Sequence, residues 1–169
     1  MSEFDVNKQK VLIVEDNVHF RTLVRTILQA LGIDKTEEAR DGSEAIEVLK
    51  TFDADLAIID WKMDGVDGVE CVRRIRAGED SPNKFLPVLM VTGFTEETLV
   101  NEARNAGVND FLSKPISAKS LLSRIVSVLK NDNPFISTGD YFGPDRRHRD
   151  GPFQGADRRG EQTNQVSPS

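Results

Sequence analysis

Short apolar runs alternate along this chain with stretches whose apolar residues recur every three or four positions. The first run is Val11-Leu12-Ile13-Val14. After it, Phe20, Leu23, Val24, Ile27, Leu28 and Leu31 fall on one face of a helix, which Gly32 is placed to close. Thr36–Ala39 reads as a weaker strand, polar enough for a sheet edge. Ala45, Ile46, Leu49 and Phe52 predict a second helix, and Leu56–Ile59 a second strongly apolar strand. Val69, Val72 and Ile75 mark a third helix, and Leu86–Val91 the next strand, with Pro87 near its start where proline is tolerated. Leu99, Val100 and Ala103 mark a fourth helix ending at Gly107. Val108–Leu112 predicts the last strand. Leu121, Leu122, Ile125, Val126 and Leu129 predict a fifth helix, with Ser117 as its N-cap.

The pattern is a strand–helix unit repeated five times. Continuously apolar strands between amphipathic helices predict a parallel sheet covered on both faces, a doubly wound α/β fold with right-handed crossovers. In such sheets ligands bind beyond the carboxyl ends of the strands. Glu15 and Asp16 follow the first strand, Asp60 the third, Thr92 the fourth and Lys114 the fifth, so all are expected on that edge. Taken singly, an acid after a strand is a turn or cap residue. Taken together, the three carboxylates repel one another unless a cation joins them, and hard oxygen ligands suit Mg²⁺. Lys114 supplies a compact positive charge and Thr92 a hydroxyl. A carboxylate beside a lysine and Mg²⁺ can attack phosphorus and form an aspartyl phosphate.

Composition narrows the setting. The chain has 169 residues, 38% hydrophobic and 30% charged, in the range of a globular protein. Its net charge of −6 gives no long-range attraction for nucleic acid or anionic lipid. The lone Cys71 forms no internal disulfide, which fits a reducing cytoplasm. No apolar stretch is long enough to span a bilayer, and the polar start of the chain does not read as a signal peptide. The expected organisation is an N-terminal extension over 1–9, a domain over 10–131, and a Gly/Pro/Arg-rich segment over 132–169 expected to be irregular or disordered.

The polar positions also carry a specific resemblance. Val11-Leu12-Ile13-Val14-Glu15-Asp16-Asn17, Ile59-Asp60-Trp61-Lys62-Met63 through Asp67-Gly68, Val91-Thr92-Gly93, and Asp110-Phe111-Leu112-Ser113-Lys114-Pro115 resemble the receiver domain of two-component response regulators. The likeness covers about residues 8–131. It implies a flavodoxin-like strand order 2-1-3-4-5 and a phosphorelay function. Asp60 would accept phosphoryl from a histidine kinase or phosphotransfer protein. Mg²⁺ would be held by Glu15, Asp16, Asp60 and the Lys62 backbone carbonyl. Thr92 and Lys114 would bind the phosphoryl group, Phe111 would change rotamer with it, and the Lys114–Pro115 bond would be cis. The chain would then be no enzyme beyond its own phosphorylation and dephosphorylation. It would signal by protein contact through the fourth helix, fifth strand and fifth helix, or through the tail.

Departures are few. Asp64 stands where relatives often carry proline, Lys62 occupies a position that influences dephosphorylation, and Phe94 is bulky near the expected site. Trp61 reads either as a reporter of the site or as loop packing. His19 reads as a helix-surface residue, Cys71 as helix packing, and His148 as lacking metal-ligating company. The tail repeats Gly143-Pro144-Asp145-Arg146-Arg147 as Gly155-Ala156-Asp157-Arg158-Arg159, with Phe135, Tyr141, Phe142 and Phe153 as apolar anchors. Asp145, Asp150 and Asp157 interrupt its arginines, which argues against direct nucleic-acid binding. Two other readings are a phosphohydrolase with an aspartyl nucleophile and a binding module that works without phosphorylation. The first expects Asp-x-Asp after the first strand, where this chain has Glu15-Asp16-Asn17.

Overall fold

A computed structural model describes residues 5–62, 67–77, 81–93, 97–130, 135–138, 141–144 and 164–166. Five parallel strands, β1 (Val11–Val14), β2 (Thr36–Ala39), β3 (Leu56–Asp60), β4 (Val88–Thr92) and β5 (Asp110–Ser113), form one sheet in the order β2-β1-β3-β4-β5. The helices between and after them are α1 (Val18–Ala30), α2 (Gly42–Leu49), α3 (Gly68–Ala77), α4 (Glu97–Ala106) and α5 (Ala118–Lys130).

Residue parity along each strand sorts the core into two layers. Leu12, Val14, Ala57, Ile59, Val88 and Met90 pack with Ala45 and Ile46 of α2, Val69 and Val72 of α3, and Ala103 of α4. Val11, Ile13, Leu56, Ile58, Leu89 and Val91 pack with Val24 and Leu28 of α1 and Leu121 and Ile125 of α5. β1, β3 and β4 are buried throughout, which is why they read as unbroken apolar runs. Each fully buried Leu or Ile contributes about 1.5–3 kcal/mol of transfer free energy. β2 pairs on one side only, with β1, and its half-polar sequence fits that edge.

The local signals act where the sequence places them. Gly32 takes φ +91° and Gly107 φ +105°, left-handed values that favour glycine. After α1 the Gly32 N–H donates to the Gln29 carbonyl and the Ile33 N–H to the Leu28 carbonyl. The same pair of bonds closes α4, from Gly107 to Arg104 and from Val108 to Ala103. That engagement explains why β5 begins at Asp110 rather than at Val108: the Val108 N–H already caps the helix. Asn17, Asp41, Asp67 and Ser117 each accept a hydrogen bond from the backbone N–H three residues on, at the starts of α1, α2, α3 and α5. The Lys114–Pro115 bond is cis.

The extension before β1 includes a 3-10 turn over Val6–Lys8, capped by Asp5, and Val6 packs against the α1/α5 layer. The segment after 131, expected to be irregular, contains three short strands, β6 (Phe135–Thr138), β7 (Tyr141–Pro144) and β8 (Asn164–Val166), ordered β7-β6-β8. β6 and β7 pair antiparallel, Thr138 opposite Tyr141, across the two residues Gly139 and Asp140. β7 lies against α3 and α4, and Gly143 and Pro144 are buried. Asp64, Phe94, His148, Phe153 and the Arg146–Arg149 cluster lie outside the described residues.

Candidate phosphoryl and metal site

The sheet's hydrogen-bond ladder continues one bond beyond β1, β3 and β5. The Glu15 N–H donates to the Ala39 carbonyl at 2.9 Å, Trp61 to Val91 at 3.0 Å and Lys114 to Thr92 at 2.9 Å. The residues at the strand ends are therefore anchored by backbone bonds and not left to loops. β3 pairs with β4 so that Asp60 faces Val91, next to Thr92. β4 pairs with β5 so that Thr92 faces Ser113, next to Lys114.

This anchoring brings the acids together. Carboxylate oxygens of Glu15, Asp16 and Asp60 all lie within 4.8 Å of one another. Glu15 and Asp60 are buried, whereas Asp16 is exposed. Lys114 Nζ lies 3.0 Å from Asp60 Oδ1. Thr92 is buried at the end of β4. Phe111 is partly buried against the α2/α3/α4 layer, with the Arg104 guanidinium 6.0 Å from its ring centre. Lys62 is exposed, two residues after Asp60. Trp61, next to Asp60, is buried in that same layer.

The electrostatics follow from burial. Desolvation pushes the Glu15 carboxyl up from its ordinary 4.5 to about 7. The Asn17 N–H, 3.0 Å from Glu15 Oε2, opposes the shift, and the Asp60 charge adds to it. Asp60 is also raised, by burial first, with Lys114 pulling the other way. Glu15 Oε1 is buried and meets no hydrogen-bond donor among the described residues. An orphaned anionic oxygen facing two further carboxylates fits a hard divalent cation, since an O-rich, net-negative cluster is what Mg²⁺ binds.

Several supporting residues escaped the sequence reading. Arg21 donates from Nη1 to the Glu15 carbonyl at 2.7 Å and from Nε to Glu38 at 2.8 Å, and Arg25 also pairs with Glu38. Burial would raise Glu38, but Arg25 and Arg21 outweigh it and hold its carboxyl low. A Cβ on Gly68 would lie 2.3 Å from the Asp60 carbonyl oxygen, so only glycine lets α3 start this close to the end of β3. Its N–H in turn donates to the Trp61 carbonyl at 2.9 Å. Phe20, read only as a core position of α1, places its ring 4.3 Å from Lys114 Nζ. Arg76 is a buried cation at the opposite end of the sheet. It donates to the carbonyls of Gly107, Lys84 and Leu86 and to Asn109 Oδ1. Of these, Gly68 lies inside a stretch that carried the resemblance. Contacts between side chains on different elements left no mark in the sequence. His19 lies exposed on α1, as its position on the helix suggested.

Residues 11–126 match the family model of the response regulator receiver domain. The chain is 38% identical over 121 residues to the chemotaxis protein CheY-3 of Vibrio cholerae, covering 72% of this chain and 92% of that protein. It is 37% identical to the chemotaxis protein CheY of Pseudomonas aeruginosa, covering 73% of this chain and 98% of that one. Among solved structures, V. cholerae CheY4 matches with a TM-score of 0.66 at 33% identity, over 72% of this chain and 98% of that chain. The receiver domain of a P. aeruginosa sensor histidine kinase matches with a TM-score of 0.65 at 26% identity, over 73% of this chain and 98% of that chain. That structure has a magnesium ion coordinated in its active-site cleft. The chain belongs to the response-regulator receiver family of two-component signalling. Its strand order is that family's.

Proposed function

We propose that this protein takes a phosphoryl group onto Asp60 from a histidine kinase or phosphotransfer protein, and works in the cytoplasm. The observation that carries the proposal is the 3.0 Å contact of Lys114 Nζ with Asp60 Oδ1, in reach of the carboxylates of Glu15 and Asp16. Glu15, Asp16, Asp60 and the Lys62 carbonyl would hold Mg²⁺, which when bound would offset the charge of the acids and of the incoming phosphoryl oxygens. An Asp60 carboxylate oxygen attacks phosphorus, the bond from phosphorus to the donor breaks, and the donor leaves with its electron pair. Lys114 then exchanges its carboxylate partner for a phosphoryl oxygen, and Thr92 donates its hydroxyl to another.

The added charge favours the packing in which Thr92 and Phe111 move toward Asp60, a population shift between two states. α4, β5 and α5 flank those two residues and form the face expected to meet a downstream protein; the C-terminal segment is the second candidate. Catalysis is confined to the protein's own phosphorylation and dephosphorylation. The test is labelling of wild type and Asp60→Asn by a phosphohistidine donor and by acetyl phosphate with Mg²⁺. Wild type should be labelled and Asp60→Asn should not; equal labelling of a folded variant would remove Asp60 from this role.

A further inference from the structure

Lys114 lies between two groups of different character. On one side is Asp60 Oδ1 at 3.0 Å, and on the other the face of the Phe20 ring, 4.3 Å from Nζ. Phe20 belongs to the first turn of α1, where its N–H is held by the Asn17 side chain at 3.0 Å. Its ring packs against the α1/α5 layer of the core, so the platform under the ammonium is fixed at its base.

We propose that Phe20 is a positioning residue for phosphoryl transfer, holding the Lys114 ammonium over the site through its ring face; this rests on the reading of Asp60 as phosphoacceptor. The argument is one of charge. A lysine ammonium sits on a flexible four-carbon stem, and the Lys114 side chain is 33% exposed, so one ion pair fixes it weakly. A second carboxylate on its far side would hold it better. It would also add negative charge where a phosphoryl anion must enter, beside three acids already present. An aromatic face attracts the cation through its quadrupole and brings no net charge. It also lets the ammonium turn from Asp60 toward a phosphoryl oxygen without giving up its second contact.

The full chain is tested as wild type, Phe20→Leu and Phe20→Tyr. Leucine keeps the core apolar but has no ring; tyrosine keeps the ring. The first readout is the Lys114 Hε resonance in protein with labelled lysine, shifted upfield by a ring overhead. The second is the rate of labelling by acetyl phosphate and Mg²⁺, a donor too small to involve a kinase surface on α1. The third is the Mg²⁺ midpoint from Trp61 emission. Phe20→Leu should lose the upfield shift and be labelled about two- to fivefold more slowly, with an unchanged Mg²⁺ midpoint, while Phe20→Tyr keeps all three. An unchanged rate in Phe20→Leu, equal slowing in both variants, or slowing that tracks a shifted Mg²⁺ midpoint would each overturn the proposal. The lysine resonance is read without any phosphoryl donor, so failure of Asp60 as acceptor would appear separately, as labelling that survives Asp60→Asn.

Discussion

Replacing Glu15 by glutamine should stabilise the metal-free protein at alkaline pH, against the usual cost of altering a buried polar residue. Glu15 is 2% exposed, and its carboxyl is pushed from 4.5 to about 7, first by burial and then by the neighbouring Asp60 charge. A carboxyl raised on folding adds stability that is fully present below 4.5 and is lost as pH rises through about 7. At 1.36 kcal/mol per tenfold change in acidity, the loss amounts to roughly 3 kcal/mol. Glutamine keeps an oxygen for the Asn17 N–H and has no charge to desolvate. Glu15→Gln should therefore match wild type near pH 5 and exceed it by up to ~3 kcal/mol at pH 8. With a urea slope of about 1–3 kcal/mol per molar, this is a midpoint shift of roughly 1–3 M. Urea unfolding followed through Trp61 at pH 5, 6, 7 and 8, with and without Mg²⁺, measures it. Saturating Mg²⁺ should reverse the order at pH 8, because the ion stabilises the carboxylate form by mass action. A Glu15→Gln variant that is less stable than wild type at pH 8 without Mg²⁺, or a difference that does not change with pH, would refute the reasoning.

Other perturbations follow from the same geometry. Arg76→Leu leaves the carbonyls of Gly107, Lys84 and Leu86 without this donor, and should lower unfolding free energy by about 3–5 kcal/mol; a loss under 1 kcal/mol in urea melts would contradict that role. Gly68→Ala puts a Cβ 2.3 Å from the Asp60 carbonyl oxygen, so it should cost at least ~2 kcal/mol and weaken Mg²⁺ binding; unchanged values for both would show that α3 can shift freely. Cys71 is fully buried, and desolvation pushes its thiol up to about 12, so a thiol reagent at pH 8 should label it only at the rate of unfolding. Labelling as fast as that of a free cysteine would place it at the surface.

Much of the fold was legible because its signals are local. Parallel strands buried on both faces must be apolar at every position, and β1, β3 and β4 are; helices covering such a sheet must be apolar at spacings of three and four. Gly32 and Gly107 mark helix ends because the closing turn needs a left-handed residue. Glu15, Asp16, Asp60, Thr92 and Lys114 could be assigned to one edge because a parallel sheet puts every strand's carboxyl end on the same side. The tail was read less well. Its Gly, Pro and Arg content suggested irregular chain, while Phe135–Thr138 and Tyr141–Pro144 pair as four-residue strands too short to stand out.

The sequence alone determined the strand–helix alternation, the two apolar layers and the set of reacting groups, because each depends on neighbours a few residues away. The tertiary structure alone decided which groups touch. It put Lys114 between Asp60 and Phe20, left Glu15 Oε1 buried without a donor among the described residues, brought Gly68 onto the Asp60 backbone, and buried Arg76 among the carbonyls of two other segments. These contacts join residues far apart in the chain. Their energies come from desolvation and charge at close range, which arise only once the sheet has closed.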